Sequence, residues 1–338
     1  MTGPKRRTGN RYYRGAVSDH FDGATFHNPG GVAPLGFRDV LRWQLAKGRA
    51  KWPAAWPSPF ATTTPAPRVA GSRLAITMVG NSTLLIQTAG LNLLTDPVWS
   101  ERASPFRFAG PLRVNPPGIA FANLPRIDAV LLSHNHYDHM DIATLRDLVL
   151  GHDPLVITPL GNDTILRGAI KGIRVSAHDW GEAVDLGEGR RVHVEPAHHW
   201  SARGTRDRSM ALWGSFVLQS AGGTVFFAGD TGFHEGRNYS HIAARHGPPR
   251  LAILPIGAYE PRWFMKGQHQ DPDEAVEAMK LLDAGFAAGC HWGTFQLTDE
   301  PVDEPRQRLH EALDREGIAH ERFRAMMPGE AWLVPEVR

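Results

Sequence analysis

The chain has 338 residues, a formal net charge of +2, 42% hydrophobic and 21% charged residues, 17 histidines and a single cysteine, Cys290. These proportions describe a globular protein with a sizeable core. They argue against a general polyanion-binding surface, a disulfide framework or a thiolate zinc finger, and no apolar run reaches the length of about 18 residues that a membrane span needs.

In chain order, the first 68 residues are rich in Pro, Gly and basic residues and end in WPSPFATTTPAPRVAG, which reads as an extended linker or as an arm lying on the rest. The start, MTGPKRRTGNRYYRG, is basic and lacks the apolar stretch of a secretory signal, so a cytoplasmic, reducing location is expected. Within the arm, Phe37, Leu41 and Leu45 recur every four residues beside Val40, which predicts a helix with one apolar face. Arg38, Arg42, Lys47, Arg49 and Lys51 surround it against the single acid Asp39. Such a helix suits either an anionic lipid surface or a seat on the main domain. From residue 72 the pattern turns to strands: RLAITMV, then STLLIQT and LNLLTD flanking Ala89-Gly90 as a hairpin, then IDAVLLS. After the helical DIATLRDLVL come the strands LVITP, RVHVEPA, LWGSFVLQ, TVFFAGD and LAILPIG. Helices are expected at 236–246, 272–283 and 303–316; the middle one has Asp271 as cap, Pro272 at its first position and Glu274 three beyond the cap. Two strand clusters, each with helices, predict an α/β sandwich of two similar halves.

The chemistry concentrates in LLSHNHYDHMD, where an apolar strand delivers His134, His136, Asp138 and His139 within six residues. Alternate residues of an extended turn point the same way, so His134 and His136 can grip one metal while Asp138 and His139 turn to a second. Imidazole and carboxylate donors suit Zn²⁺, with iron or manganese as alternatives. Three further strand ends offer the missing ligands: His198 or His199 after RVHVE, Asp230 in GDTG after TVFF, and His291 in GCHWGTF. All of them lie just beyond an apolar strand, where α/β sheets build sites. Cys290, next to His291 in a strand, should point away from it and reads as a core thiol.

The order H-x-H-x-D-H, His, Asp, His resembles the metallo-β-lactamase superfamily. The segments LTDPVWSERASP, LPRIDAVLLSHNHYDHMD, FFAGDTGF, IGAYEPRWFMKGQHQDPDEAV and HWGTF are similar to the N-acyl-phosphatidylethanolamine-hydrolysing phospholipase D family, from about residue 74 to 333. The resemblance implies a four-layer αββα sandwich of the metallo-β-lactamase type over 69–338, preceded by the arm at 1–68. It implies one metal held by His134, His136 and His199 (the histidine directly before Trp200), a second held by Asp138, His139 and His291, and Asp230 bridging both. One departure is Asn81, in VGNSTLL, where relatives carry His.

Two cations about 3.5–4 Å apart would hold a bridging hydroxide for in-line attack on phosphorus, without a Ser or Cys nucleophile. For the family's substrate this releases an N-acylethanolamine and leaves phosphatidic acid. Asp138 would orient the hydroxide, and His269 in GQHQDP is the candidate contact to the leaving group or to the ligands, with helix capping as its alternative role. Trp99, Phe106, Phe108, Trp263, Phe264 and Phe295 are offered as an acyl groove, with core packing as their alternative role, and Arg102, Arg107, Arg113 and Arg262 as phosphate partners, with isolated surface positions as the alternative for at least two. The expected partner is a phospholipid, reached by peripheral contact with the inner face of a membrane through the basic helix and apolar loops; nucleic acid is not expected, and the family implies a homodimer. The alternatives are a lactonase, a cyclic-nucleotide diesterase or a tRNA-processing nuclease on the same scaffold, and a lipid-binding scaffold with a vestigial site.

Overall fold

The computed structural model describes residues 9–46, 48–60 and 63–337; the basic residues 1–8 and Lys47 lie outside them. After the arm helix α1 (Phe37–Leu45), the first half contains β1 (Leu74–Gly80), β2 (Thr83–Thr88), β3 (Leu91–Thr95), β4 (Ala129–Leu131), α2 (Ile142–His152), β5 (Leu155–Pro159), α3 (Asn162–Ala169) and β6 (Val175–His178). The second half contains β7 (Ala183–Asp185), β8 (Arg191–Glu195), β9 (Ser215–Gln219), β10 (Val225–Phe227), α4 (Arg237–His246), β11 (Leu251–Pro255), α5 (Arg262–Met265), α6 (Pro272–Leu281), β12 (Phe286–Cys290), α7 (Glu304–Glu316), β13 (Phe323–Ala325) and β14 (Ala331–Val334).

Among the described residues the strands form two sheets of seven, ordered β14-β1-β2-β3-β4-β5-β6 and β13-β12-β11-β10-β9-β8-β7. Each sheet has an antiparallel part, β1 to β3 or β7 to β10, that passes into a parallel run, β3 to β6 or β10 to β13. The halves are therefore alike, and β14 returns to pair with β1. The hairpin between β2 and β3 turns on Ala89 (φ 48°) and Gly90 (φ 77°), the two positive φ angles that a tight right-twisting hairpin requires.

The layers follow from side-chain alternation. Leu251 and Ile253 point into the core between the sheets, with Leu74, Ile86, Val192, Phe216 and Phe227. Ala252 and Leu254 point the other way, onto α4, α6 and α7. The outer face of the first sheet is covered by α2 and α3 through Leu145, Leu148 and Leu166. The result is the αββα sandwich that the resemblance implies, in the two similar halves that the strand clusters predict. Strands apolar on both faces read as continuous hydrophobic runs, which is why β11 is plain in the sequence. The polar VSAH of β6 and the half-exposed AVD of β7 are not.

The arm lies on the domain. Phe21 and Phe26 bridge to each other and are buried against Ala197, Leu212 and Trp213, burial worth about 1.5–3 kcal/mol apiece. Farther along, Trp56 packs on Trp292 at 5.7 Å between ring centroids. The α1 helix forms as its spacing predicts, but none of its residues is buried: Phe37, Leu41 and Leu45 are 80%, 49% and 75% exposed. It is held instead by its other edge, where Trp43 stacks on Phe264 and donates to Asp299 Oδ2, and Arg42 lies over Trp263.

His20 pins the arm, with Nε2 2.8 Å from Asp179 and Nδ1 2.6 Å from Asp19. Burial opposes its protonation, yet the Asp179 and Asp19 carboxylates outweigh burial and raise it above the ordinary imidazole value. A raised folded-state value contributes stability that is complete below about pH 6.5 and is lost as pH rises through the folded value. Denaturant midpoints of the wild type should therefore fall as pH rises above about 6.5, and His20→Gln should flatten that dependence; an unchanged slope in the variant would show that His20 does not carry it.

Candidate metal centre

The site sits where strands of both sheets end. Beyond β3 the chain places Asp96; beyond β4, Ser133, His134, His136, Asp138 and His139; beyond β8, His198 and His199; beyond β10, Asp230; beyond β12, His291. Close approach is needed at Gly229 (φ 61°), where an added Cβ would stand 2.7 Å from the Ser133 Cβ. His291 itself adopts φ 59°, a left-handed conformation uncommon outside glycine, and its amide donates to the Asn81 carbonyl.

Two donor groups result, each with its ligand atoms within 4.8 Å of one another: His134, His136, His199 and Asp230; and Asp138, His139, Asp230 and His291. Asp230 belongs to both, with Oδ2 3.1 Å from His139, 3.3 Å from His291, 3.8 Å from His199 and 3.9 Å from His134. Its Oδ1 is buried without a hydrogen-bond partner. Of the adjacent pair, His199 faces the group, whereas His198 accepts from the Val32 amide and hydrogen-bonds the Gly267 carbonyl.

The hydrogen bonds fix which nitrogens face inward. Asp96 Oδ2 accepts from His139 Nδ1 at 2.7 Å and from Ser133 Oγ at 2.6 Å, and Ser133 Oγ in turn lies 2.9 Å from His134 Nδ1. The Gln268 carbonyl accepts from His199 Nδ1. In its neutral form each of these rings is thereby left with a lone pair on Nε2, the state a metal ligand needs. His136 is turned the other way: its Nδ1 is 2.9 Å from His134 Nε2 and 3.3 Å from His199 Nε2. Nitrogens bound at about 2.0–2.1 Å to a tetrahedral metal lie about 3.3 Å apart. Imidazole nitrogens converging at these distances fit a cation.

The electrostatics agree. Burial keeps His134 well below its ordinary value and pushes His136 down to about 3 and His199 to about 4, so all three are neutral at pH 7. Around the second group, burial is outweighed by charge: Asp230, Asp138 and Asp96 raise His139 well above the imidazole value, and Asp230 and Asp138 raise His291. His139 and His291 hold both carboxylates well below the usual range against burial. This pocket therefore stabilises positive charge at the imidazole nitrogens.

His269 lies at the edge, outside both groups. Its ring centroid is 5.0 Å from His199 and 5.5 Å from His291, and its Nδ1 is 4.0 Å from Asp230 and buried without a hydrogen-bond partner. Burial holds it neutral, well below the ordinary value. Asn81, also left-handed (φ 53°), donates Nδ2 to the Asp138 carbonyl and lies 3.4 Å from Asp138 Oδ2. It thus holds the ligand loop.

The loop residues named from the sequence divide between packing and surface. Arg113 donates Nη2 to the Val98 carbonyl and lies over the Phe295 ring, with its Nη1 buried and unpartnered; Arg262 is spent on the His269 carbonyl and Glu274, and Arg102 on loop carbonyls; only Arg107 of that set is left exposed. Phe295 is core, while Phe106, Phe108 and Trp263 are exposed. Cys290 is buried in the core between the sheets, as its place in the strand predicts, and burial pushes its thiol up. The important omission is Asp96, the one carboxylate that orients ligands of both groups. Its signal was a polar residue at the end of an apolar strand, the same signal that marks Asp230. The arm also escaped notice as a site element: Asn28 Nδ2 donates to the His199 carbonyl.

Comparison with known proteins follows from this geometry. The sequence profile of the beta-lactamase superfamily domain matches residues 91–292. The chain is 38% identical over 271 residues to N-acyl-phosphatidylethanolamine-hydrolyzing phospholipase D 1 of Caenorhabditis elegans, covering 77% of this chain and 76% of that one. It is 39% identical over 289 residues to an uncharacterised protein of Mycobacterium tuberculosis, covering 83% and 76%. Among solved structures, the metallo hydrolase Igni18 of Ignicoccus hospitalis superposes with a TM-score of 0.58 at 21% identity, covering 78% of this chain and 100% of that one.

If Asp96 sets the tautomers of His134 and His139, Asp96→Ala should weaken metal affinity by about 10- to 100-fold while far-ultraviolet circular dichroism stays that of the wild type. Chelator competition measures this, and equal affinities would show that Asp96 does not orient the ligands.

Proposed function

The chain belongs to the beta-lactamase superfamily and, within it, to the N-acyl-phosphatidylethanolamine-hydrolysing phospholipase D family, and from that premise we propose that this metal-dependent hydrolase is a phosphodiesterase acting on N-acylated phosphatidylethanolamine. The observation that carries this reading is Asp230, one carboxylate shared by two adjacent donor groups. His134, His136 and His199 would hold one Zn²⁺, Asp138, His139 and His291 a second, and Asp230 both. Such a pair supplies Lewis acidity to a phosphoryl oxygen and lowers the pKa of water.

The chain's own residues do the rest. Asp138 commits Oδ2 to His139, His291 and Asn81, which leaves Oδ1 to orient the attacking water. That oxygen joins phosphorus, the bond from phosphorus to the ethanolamine oxygen breaks, and phosphatidic acid remains. His269, neutral and with an unpartnered Nδ1, is the group that gives a hydrogen bond to the departing oxygen. Cys290 faces the core, so no thiol competes as nucleophile.

A cavity of about 730 Å³ adjoins the ligand loop through Tyr137, with Trp99, Phe106, Arg107 and Arg146 in its walls. Rings beside guanidinium groups suit a lipid with an anionic head. Among the described residues no helix is long and apolar enough to cross a membrane. Peripheral contact is proposed through the outward face of α1, whose Phe37, Leu41 and Leu45 flank Arg38 and Arg42.

Incubated with N-acylphosphatidylethanolamine vesicles in ¹⁸O-water, the protein should release N-acylethanolamine and place the label on phosphatidic acid. His269→Ala should slow this by about 10²- to 10⁴-fold. Cleavage of nitrophenyl diesters without release from the lipid would remove the substrate assignment and keep the chemistry.

Vesicle flotation tests the surface separately. Phe37→Ser, Leu41→Ser, Leu45→Ser combined should lower the bound fraction on anionic vesicles; equal flotation would place the contact elsewhere.

A further inference from the structure

A second histidine cluster lies on the helix-facing side of the second sheet. Along β8, Val192 and Val194 point into the core between the sheets, so His193 and Glu195 point outward, toward α4. Glu195 is fully buried. Its Oε1 is 2.8 Å from His246 Nε2 and 3.2 Å from Arg245, and its Oε2 is 3.9 Å from His241 Nε2. The His193 and His246 rings are 4.6 Å apart between centroids. Donor atoms of His193, Glu195 and His246 all lie within 4.8 Å of one another, and none of the three belongs to the groups around Asp230.

Neutralising one buried carboxylate needs one cation, and Arg245 already supplies it. Three imidazoles around the same carboxylate are more than that task requires. The orientation of His193 is informative: its Nε2 lies 3.1 Å from Gln219 Oε1, while its Nδ1 is buried without a hydrogen-bond partner. A side-chain carbonyl accepting from one ring nitrogen and leaving a lone pair on the other is how proteins orient a metal-ligating histidine. Arg245 divides its donors: Nη1 lies 3.2 Å from Oε1 and 3.5 Å from Oε2 of Glu195, and Nη2 donates to the Gly181 carbonyl at 2.7 Å. His241, 54% exposed, stands on the open side.

We propose that His193, Glu195 and His246 form a separate structural site for a divalent cation of the zinc class, with His241 closing it toward solvent. Two or three imidazoles and one carboxylate favour zinc, nickel or copper over magnesium or calcium. The site joins β8, which runs on to His199, to α4, which follows the turn carrying Asp230. An ion here would clamp together the two elements that carry those residues. The proposal stands apart from the phospholipase reading and does not need it.

The test uses the full chain already loaded at its Asp230 centre, dialysed against buffered Zn²⁺ and assayed for metal per chain by mass spectrometry. The wild type should keep about one equivalent more than His193→Ala, His246→Ala, with hydrolysis of a nitrophenyl diester unchanged. Gln219→Leu should keep the site but weaken zinc binding by about 10- to 100-fold in calorimetric titration. Equal metal content in wild type and double variant overturns the site, because only a difference between them is read. If circular dichroism shows the double variant unfolded, His193→Asn is read in the same way, with the same two outcomes.

Discussion

The structure depends on the burial of Asp230. A fully buried carboxylate costs several kcal/mol unless partners return that energy, and here the partners come from strand ends of both sheets. Five imidazoles, those of His134, His139, His199, His269 and His291, lie within 4.0 Å of its Oδ2. Its other oxygen is left unpaired. Imidazole lone pairs that face one another, and a carboxylate oxygen with no donor, are poor ways to stabilise a fold and good ways to receive a cation. The seam between the sheets is thus the place where the apolar logic of the core gives way to chemistry.

The site is not confined to the sandwich. The arm reaches it through Asn28 on the His199 carbonyl, Val32 on His198 Nε2, and Gln268 Nε2 on the Val32 carbonyl. The fit is tight at Gly31, where a Cβ would meet His198 Nε2 at 2.3 Å. His198 is therefore a structural neighbour, held neutral by burial with a value near 4, and what it fastens is the backbone that aims His199. A segment that reads as low-information linker is part of the ligand scaffold.

Much of this was legible and some was not, for identifiable reasons. His134, His136, Asp138 and His139 stand together in the chain, and a spacing rule finds them. Asp230 and His291 stand alone, yet each follows a run buried on both faces. Asp96 follows such a run too, but an Asp before Pro reads as a turn. Its role appears only when β3 and β4 lie side by side, so that Ser133 and His139 come within reach. The His193, Glu195 and His246 cluster joins residues more than fifty apart, on an alternation that looks like any half-exposed strand. In α1 the periodicity found the apolar face correctly, but periodicity does not say whether protein covers it. The covering residues would have had to come from elsewhere in the chain, and Trp43 and Arg42 claim the contact instead.

That inversion links the surface to the chemistry. Trp43 stacks on Phe264 and Arg42 lies over Trp263, both in α5. The first residue of α5, Arg262, donates to the His269 carbonyl and pairs with Glu274 at the start of α6. The His269 amide in turn donates to the Met265 carbonyl at the end of α5. A continuous set of contacts therefore runs from the exposed apolar edge of α1 to the one imidazole at the centre that belongs to neither donor group. The position of His269 is thus set by this surface-connected layer on one side and, through Gln270 on Thr231 and Pro255, by the ends of strands on the other.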